Sequence, residues 1–262
     1  MDGALKEKAG NMEKEERLKS FFEKHNKLAI GFSGGADSAF LLYYGAKSGA
    51  DIRPYYVKSV FQPEFELRDA KRLCDELGIG LTVIELDVLC DASISSNPQN
   101  RCYYCKQKIF SALKEQAHAD GYDVIIDGTN ASDAYDDRPG MKAIRELSVL
   151  SPLRECGITK SELREMSRQA GIFTWNKPAY ACLATRIPTG EEITAQKLKN
   201  IENAENVLFD MGFTDFRVRT LNGTAKLQLK AEQLERAEKC FDEIAERISP
   251  FFSDVFIDSV VR

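Results

Sequence analysis

The chain has 262 residues, of which 43% are hydrophobic and 29% are charged, and its net charge is -5. A chain of this length has room for one sizeable hydrophobic core and a second, smaller one. The negative net charge excludes an overall positive potential that would attract nucleic acid. No apolar stretch approaches the roughly 18 residues that a membrane-spanning helix needs.

The first half of the chain alternates predicted helices and strands. It begins with a charged segment, MDGALKEKAGNMEKEERLK, that lacks the apolar centre of a signal peptide, so we expect a cytoplasmic protein. An amphipathic helix is predicted over residues 13–25 and an apolar strand over 27–32. Further strands are predicted in DIRPYYVKSV, LTVIELDV and DVIIDGT, and the helices between them include one over 103–119. This alternation predicts a parallel sheet covered by helices on both faces, that is, a doubly wound α/β domain.

The second half changes its pattern after one more helix. That helix begins near Thr159, which forms a plausible capping box with Glu162, and it ends at Gly171. In the next segment, WNKPAYACLATRIPTG, the apolar residues follow neither a helical nor a strand period, which predicts an ordered loop. Beyond it, Asn222 and Gly223 suit the type I′ turn of a hairpin. The predicted order is a helix over 194–211, the hairpin FRVRTLNGTAKLQL, a helix over 231–247 and a strand over 253–261. We therefore expect a domain over residues 1–190 and a smaller α+β domain over 191–262, which binds substrate or another subunit.

The segment IGFSGGADSAFLL runs from a predicted strand through Ser-Gly-Gly into a predicted helix. Gly34 and Gly35 let backbone N–H groups approach an anion, and the helix N-terminus adds about half a positive charge. The NTPase pattern G-x-x-x-x-G-K-[ST] and the dinucleotide pattern G-x-G-x-x-G are both absent. The pattern that remains, S-G-G-x-D-S, predicts that Ser33 and Ser38 donate to pyrophosphate oxygens and that Asp37 helps to hold a magnesium ion. A plain strand-to-helix turn, with the Ser and Asp side chains as caps, is the alternative.

The six residues Ser33 to Ser38 resemble the signature of the PP-loop ATP pyrophosphatase superfamily. Its members cleave ATP between the α and β phosphates, adenylate a substrate oxygen and let a nitrogen or sulfur nucleophile displace AMP. The resemblance implies a Rossmann-like sheet of the HUP type (adenine nucleotide alpha hydrolase-like), and it places Asp127 and Gly128 near the nucleotide. On local sequence alone, an ordinary turn after a strand is the alternative for this Asp-Gly pair.

The chain contains seven cysteines, an odd number, which favours a reducing compartment over a disulfide framework. Cys102 and Cys105 have C-x-x-C spacing, which serves an iron–sulfur cluster, a zinc ion or a redox dithiol. No second pair of this spacing exists, but Cys182 lies in the loop WNKPAYACLATRIPTG. Three cysteines suit a 4Fe–4S cluster with one iron left open, and a structural zinc or a redox dithiol stays as an alternative. The other four are expected to be inert: Cys74, Cys90, Cys156 and Cys240.

Four segments extend the resemblance over most of the chain, about residues 15–262. In order and spacing, RCYYCK, DGTNASDAYDDRPG, WNKPAYACLATRIPTG and RVR resemble the LarE family. These ATP-dependent sulfur transferases help to make the nickel-pincer nucleotide of lactate racemase. The resemblance implies that the substrate is pyridinium-3,5-biscarboxylic acid mononucleotide, whose carboxylates become thiocarboxylates. One branch of the family sacrifices a cysteine, at a position that is Ala181 here, so we expect the branch in which three cysteines, here Cys102, Cys105 and Cys182, hold a 4Fe–4S cluster.

The phosphate and carboxylates of such a substrate need positive charge, for which the candidates are Arg186, Arg217 and Arg219. Arg217 and Arg219 alternate along a predicted strand and therefore share a face. The resemblance implies that this pair contacts the substrate phosphate at a subunit junction, so we expect a homo-oligomer; a solvated strand face is the alternative. Five further charged residues of the matching motifs receive no role from the sequence: Lys106, Lys177, Asp133, Asp137 and Arg138.

Together these features predict an enzyme that uses ATP and Mg2+ to adenylate a carboxylate and then delivers sulfur through the cluster. Ser33, Gly34, Gly35 and Ser38 would hold the departing pyrophosphate where charge develops. The expected partner is a small nucleotide substrate, with no nucleic acid and no membrane. One alternative is another PP-loop enzyme that amidates or thiolates tRNA, which the negative net charge disfavours. The other is an ATP-responsive iron–sulfur sensor without catalysis.

Overall fold

A computed structural model of the chain describes residues 2–133 and 139–260. Along the chain, helices separate the strands of the first of its two sheets. Two short 3-10 helices lie at Phe173–Asn176 and Leu183–Arg186. The other elements, in chain order, are α1 (Asp2–Lys24), β1 (Lys27–Gly31), α2 (Ala36–Lys47), β2 (Asp51–Lys58), α3 (Glu64–Leu77), β3 (Thr82–Glu85), α4 (Ala92–Ser95), α5 (Arg101–Ala119), β4 (Ile125–Ile126), α6 (Pro139–Glu146), α7 (Pro152–Glu155), α8 (Lys160–Gln169), α9 (Ala195–Asp210), β5 (Arg217–Leu221), β6 (Thr224–Gln228), α10 (Ala231–Lys239), α11 (Phe241–Ile248) and β7 (Val255–Ile257).

The chain divides into two compact units, each with its own sheet. The first unit comprises Met1–Lys58, Glu64–Leu86 and Cys102–Lys177, and the second comprises Ser59–Pro63, Asp87–Arg101 and Pro178–Arg262. The predicted domain boundary between residues 190 and 191 stays a prediction. None of the helices in the described part of the chain is both long and apolar enough to cross a membrane.

The first unit is built on a four-stranded parallel sheet in the order β3-β2-β1-β4. Side chains along a strand alternate between its faces, and β1 divides its residues accordingly. Leu28 and Ile30 belong to the apolar cluster that contains residues of α1, α2, α3 and α8. Ala29 belongs to a second cluster, which contains residues of α5 and α6. Helices therefore cover both faces of the sheet, which confirms the predicted α/β fold of the Rossmann-like class.

The second unit contains a three-stranded mixed sheet in the order β5-β6-β7. Strands β5 and β6 are antiparallel, and the turn between them has positive φ angles at Asn222 (51°) and Gly223 (83°). This is the predicted two-residue turn, in which both central residues need positive φ. Strand β7 pairs with β6 in parallel, so the smaller α+β region that the sequence predicts is confirmed.

Two predicted elements of the second unit differ from the structure. The helix expected over 231–247 is two helices, α10 and α11, because Cys240 leaves the helical region with φ -114° and ψ 23°. The side chains on either side keep a helical spacing, so the apolar pattern alone did not reveal the break. The strand expected over 253–261 is shorter in the structure: of residues 253–260, which the structure describes, the three of β7 pair with β6.

Candidate functional site

The turn between β1 and α2 is the segment in which the sequence predicts a phosphate loop. Gly34 has φ +70°, in the left-handed region that favours glycine. A Cβ atom on Gly34 would also lie 2.9 Å from the carbonyl oxygen of Glu66 and 3.1 Å from the backbone nitrogen of Ala70, both in α3. Glycine is therefore required here twice, by the backbone angle and by the close approach of α3.

The N-terminus of α2 is open to an anion. Among the described residues, no side chain caps this 12-residue helix at Gly35. The loop hydroxyls bond to one another instead, with 3.2 Å between the Oγ atoms of Ser33 and Ser38, and the Gly35 N–H donates to Ser33 Oγ at 3.3 Å. These are long hydrogen bonds, which a phosphate oxygen can replace. Hydroxyls and uncapped N–H groups at a helix N-terminus form an arrangement that binds anions.

Gly128 brings the end of β4 against this loop. A Cβ atom on Gly128 would lie 2.8 Å from the backbone nitrogen of Ser38, so only glycine allows the approach. The neighbouring Asp127 is buried, and it accepts hydrogen bonds from Thr129 Oγ1 at 2.6 Å and from Ser151 Oγ at 2.7 Å. Asp127 thus organises the turn after β4, while the contact of Gly128 with a nucleotide stays a prediction.

The carboxylate of Asp37 has two partners that sequence reasoning missed. Lys160 Nζ lies 2.6 Å from Asp37 Oδ2, and Asn130 Nδ2 donates to Asp37 Oδ1 at 3.1 Å. Lys160 is the first residue of α8, directly after the capping residue Thr159. A positive charge in the first turn of a helix is unfavourable, because it opposes the helix dipole. The position of Lys160 is therefore a sequence signal that this lysine does something other than stabilise α8.

The capping box that the sequence predicts for α8 is confirmed. The backbone N–H of Thr159 donates to the carboxylate of Glu162 at 2.8 Å, and the threonine side chain accepts from the Glu162 N–H in return. Lys14 Nζ donates to the same carboxylate at 2.7 Å. Burial by itself would raise the pKa of Glu162, but the hydrogen bonds from Lys14 and Thr159 outweigh it and lower the pKa below its usual value. The start of α8, and with it Lys160, is therefore well anchored.

Lys177 also contacts the loop, although the sequence assigned it no role. Its ammonium group donates to the carbonyl oxygen of Gly34 at 3.2 Å and to Asp69 Oδ2 at 2.6 Å. It also lies 5.3 Å from the centre of the Phe65 ring, within the range of a cation–π contact.

The three cysteines of the predicted cluster lie in different parts of the fold. Cys102 and Cys105 are three residues apart in the first turns of α5, so their side chains share one side of the helix. Cys102 is exposed and Cys105 is half-buried; both belong to the first unit. Cys182 is half-buried and precedes the second 3-10 helix, in the second unit. Among the side chains that the structure describes, in residues 12–133 and 139–260, no three of His, Cys, Asp or Glu form a group that could hold a metal ion. The shared cluster stays a prediction.

Arg186 is buried with a carboxylate. Its guanidinium lies 2.8 Å from Glu205, and each of the two side chains is 1% exposed. Arg186 also donates to the carbonyl oxygen of Ala181 at 2.7 Å, while Glu205 accepts from the N–H of Val218 at 3.0 Å and from the hydroxyl of Tyr180. Burial alone would lower the pKa of Arg186, but Glu205 reverses this effect and raises the pKa, so the guanidinium stays charged. The pair joins the loop of Cys182 to β5, and contact of Arg186 with substrate stays a prediction.

Arg217 and Arg219 lie on the same face of β5, and they alternate along the strand with the buried residues Val218 and Thr220. Arg219 donates to the side chain of Gln228 and to the carbonyl oxygen of Thr185, both at 2.6 Å. These bonds fix the guanidinium of Arg219 next to the loop of Cys182. The proposed contact of the arginine pair with a phosphate stays a prediction.

Two more of the five charged residues without an assigned role, Asp133 and Lys106, make contacts within the described part of the chain. The Asp133 carboxylate accepts from the backbone N–H of Asn130 at 3.0 Å. The ammonium group of Lys106 lies 5.0 Å from the centre of the Phe110 ring. The remaining pair, Asp137 and Arg138, lies outside the described residues.

Comparison with known proteins identifies relatives over most of the chain. No protein-family model matches it. The chain is 36% identical over 223 residues to the uncharacterized protein slr1717 of Synechocystis, which covers 84% of this chain and 83% of the relative. It is 31% identical over 205 residues to the pyridinium-3,5-bisthiocarboxylic acid mononucleotide synthase of Lactiplantibacillus plantarum, covering 78% of this chain and 74% of that protein. It is 27% identical over 221 residues to the tRNA-specific 2-thiouridylase MnmA of Pseudothermotoga lettingae, covering 70% of this chain and 63% of the relative.

Proposed function

The chain belongs to the LarE family of the PP-loop superfamily, and from this premise we propose that it is an ATP-dependent sulfurtransferase of nickel-pincer nucleotide synthesis. Its substrate would be pyridinium-3,5-biscarboxylic acid mononucleotide, and its product would be the corresponding thiocarboxylate. The name of the relative in Lactiplantibacillus plantarum contains this product. One structural observation carries the proposal: an uncapped helix N-terminus framed by Gly34 and Gly128. Such a turn suits the polyphosphate of ATP.

ATP is needed because a carboxylate is a poor electrophile and does not expel an oxide. In the proposed reaction, a carboxylate oxygen of the substrate attacks the α phosphorus of ATP, and the bond from that phosphorus to pyrophosphate breaks. Ser33, Ser38 and the N–H groups at the start of α2 would hold the departing pyrophosphate. A sulfur nucleophile then attacks the acyl carbon, and AMP leaves with the former carboxylate oxygen.

Asp37 fits a magnesium ion because its carboxylate is 27% exposed at the start of α2, so solvent reaches a hard oxygen ligand. When bound, Mg2+ would neutralise charge on the departing pyrophosphate. Lys160 Nζ lies 2.6 Å from this carboxylate. If the Asp37 carboxylate held Mg2+, the ammonium group of Lys160 would be free to donate to a phosphate oxygen, so Lys160 is proposed as a second cation of the site.

The proposed ligands of a 4Fe–4S cluster are Cys102, Cys105 and Cys182. Their chemistry fits the group: all three are thiols that solvent reaches, and two share one side of α5. A cluster with three protein ligands leaves one iron open, and when bound it would supply the sulfur nucleophile as a sulfide. Since the family resemblance places Ala181, and not a cysteine, at the sacrificial position, we favour this source of sulfur over a cysteine that is consumed.

The cluster is tested by the iron and sulfide content of protein purified without oxygen. We expect the wild type to contain both, and Cys102→Ala, Cys105→Ala and Cys182→Ala to lose them. Cys90→Ala is the matched control, because Cys90 is an exposed thiol, as Cys102 is, but is not a proposed ligand. Wild-type protein without iron, or three variants that retain all of it, would contradict the cluster.

The reaction is tested by incubating the anaerobic wild type with ATP, Mg2+ and the pyridinium substrate, followed by mass spectrometry of the small molecules. We expect a thiocarboxylate, which the three cysteine variants do not form and Cys90→Ala does. The mass of the protein is measured in the same samples. Loss of one sulfur atom from Cys182 in step with product would show a sacrificial donor instead. Full thiolation by all three variants would refute the proposed ligands.

A further inference from the structure

Lys177 has no part in the chemistry proposed above, although it contacts the phosphate loop directly. Its ammonium group donates to the Gly34 carbonyl oxygen at 3.2 Å and to Asp69 at 2.6 Å. The Lys177 side chain is only 15% exposed, so this is not an ordinary surface ion pair, which solvent would screen.

The direction of the Gly34 carbonyl determines the direction of the next N–H group. In a planar trans peptide, the carbonyl oxygen of one residue and the N–H of the next point to opposite sides. The N–H of Gly35 therefore points away from Lys177, and it donates to Ser33 Oγ inside the loop at 3.3 Å. A cation that holds the Gly34 oxygen thus aims the Gly35 N–H at the interior of the loop.

The backbone of the two glycines does not by itself fix the orientation of this peptide. Glycine adopts positive and negative φ with similar ease, and Gly34 is followed by a second glycine. The carbonyl oxygen of Glu66 limits the loop on one side, at 2.9 Å from where a Gly34 Cβ would lie. Lys177 adds a directional restraint, and Asp69, one residue before Ala70 in α3, holds the ammonium group in place.

We infer that Lys177 is a positioning residue that holds the peptide between Gly34 and Gly35 in the orientation that binds pyrophosphate. The inference rests on the proposed function, because it assigns a residue to the same anion site. Lys177 acts through the loop backbone, and Asp69 serves it as an anchor.

The test is calorimetric titration of the full chain with inorganic pyrophosphate and Mg2+, repeated with ATP. Lys177→Met keeps the length of the side chain but loses the charged donor. We expect it to bind pyrophosphate about tenfold more weakly, as the loss of a charge-assisted hydrogen bond implies. Lys177→Arg retains a cationic donor and should recover most of the affinity. Pyrophosphate affinity that is equal in Lys177→Met and the wild type would overturn the inference and leave the proposed function standing.

Asp69→Asn separates positioning from direct contact with the anion. If Lys177 positions the loop, removing its anchor weakens binding as well. If Lys177 were itself a ligand of pyrophosphate, the loss of a neighbouring negative charge would strengthen binding, and that result would overturn the inference. This variant also keeps the test valid if Lys177→Met does not fold.

Lys58→Met is the matched control. Lys58 is 14% exposed and lies 2.5 Å from the carboxylate of Glu64, so it resembles Lys177 in burial and in its ion pair. We expect this variant to bind pyrophosphate as the wild type does. Equal weakening in Lys58→Met and Lys177→Met would attribute the effect to lost stability and overturn the inference. A wild type that binds neither pyrophosphate nor ATP would overturn both the inference and the proposed function.

Discussion

The phosphate loop is formed by consecutive residues, but its carboxylate, Asp37, is held by two residues from distant parts of the chain. The segment from Ser33 to Ser38 is local, so its glycines and hydroxyls indicated an anion site before any fold was known. Asn130 and Lys160 contact Asp37 from positions 93 and 123 residues along the chain. Such contacts depend on the order of strands and on where a helix begins, and residue type alone does not reveal them.

Gly128→Ala tests the close approach of β4 to the loop. The new Cβ would lie 2.8 Å from the backbone nitrogen of Ser38, so backbone must shift. We expect a loss of about 1–3 kcal/mol in the free energy of unfolding and weaker ATP binding, measured by urea denaturation and calorimetry. Gly80→Ala is the control, because a Cβ there meets nothing within 4 Å. If Gly128→Ala had the stability and the ATP affinity of the wild type, the close approach of Gly128 to the phosphate loop would be contradicted.

Glu205→Gln tests the buried ion pair that joins the loop of Cys182 to β5. It leaves the charged Arg186 without its counter-charge, which typically costs about 3–5 kcal/mol in the free energy of unfolding. Urea denaturation measures the loss. Glu13→Gln is the control, since Glu13 pairs with Arg17 at the exposed surface and should change stability by about 1 kcal/mol or less. Similar losses in both variants would show that Glu205 has no special structural role.

At the scale of secondary structure, the start of α8 was predictable because a capping box is a local pattern. The break between α10 and α11 was not, since Cys240 interrupts the backbone while the side chains around it keep helical spacing. The lengths of β4 and β7 were not predictable either. They depend on partners in the sheet, and Leu150 joins β4 only through an isolated bridge to Ile126.

The anchored start of α8 predicts a pH dependence. The pKa of Glu162 is lower in the folded chain than the usual value of about 4.3, so the folded state favours the ionised carboxylate. Its contribution to stability is complete above pH ~4.3 and is lost as the pH falls through the lower folded pKa. Unfolding free energies measured between about pH 3 and pH 6 should therefore fall less steeply with acid in Glu162→Gln than in the wild type. Parallel profiles would contradict the prediction.

The cysteines of different elements should differ in reactivity. Burial raises the pKa of Cys74 in α3 to about 12, and burial also raises the pKa of Cys156 after α7. Because the thiolate is the reactive form, iodoacetamide at about pH 8 should spare both in the folded protein and modify the exposed Cys90. Peptide mass spectrometry measures the modification, and denatured protein, in which all seven thiols react, is the control. Alkylation of Cys74 at the rate of Cys90 would contradict the burial.

For the whole molecule, composition and element order predicted the fold class well, because alternating strands and helices leave few arrangements other than a parallel sheet. The second unit was harder to delimit, since it also includes Ser59–Pro63 and Asp87–Arg101 from the first half of the chain. No local pattern marks such segments as belonging to a distant part of the sequence. The predicted homo-oligomer likewise depends on surfaces that a single chain does not define, and it stays a prediction.

The central claim is that ATP activates a substrate carboxylate at the loop of Ser33 to Ser38. It is tested most directly by placing oxygen-18 in the carboxylates of the pyridinium substrate and analysing the nucleotide products by mass spectrometry. Attack of the carboxylate on the α phosphorus, followed by displacement of AMP, predicts AMP that carries the label, together with unlabelled pyrophosphate. Formation of ADP and phosphate, or of AMP without oxygen-18, would contradict the account.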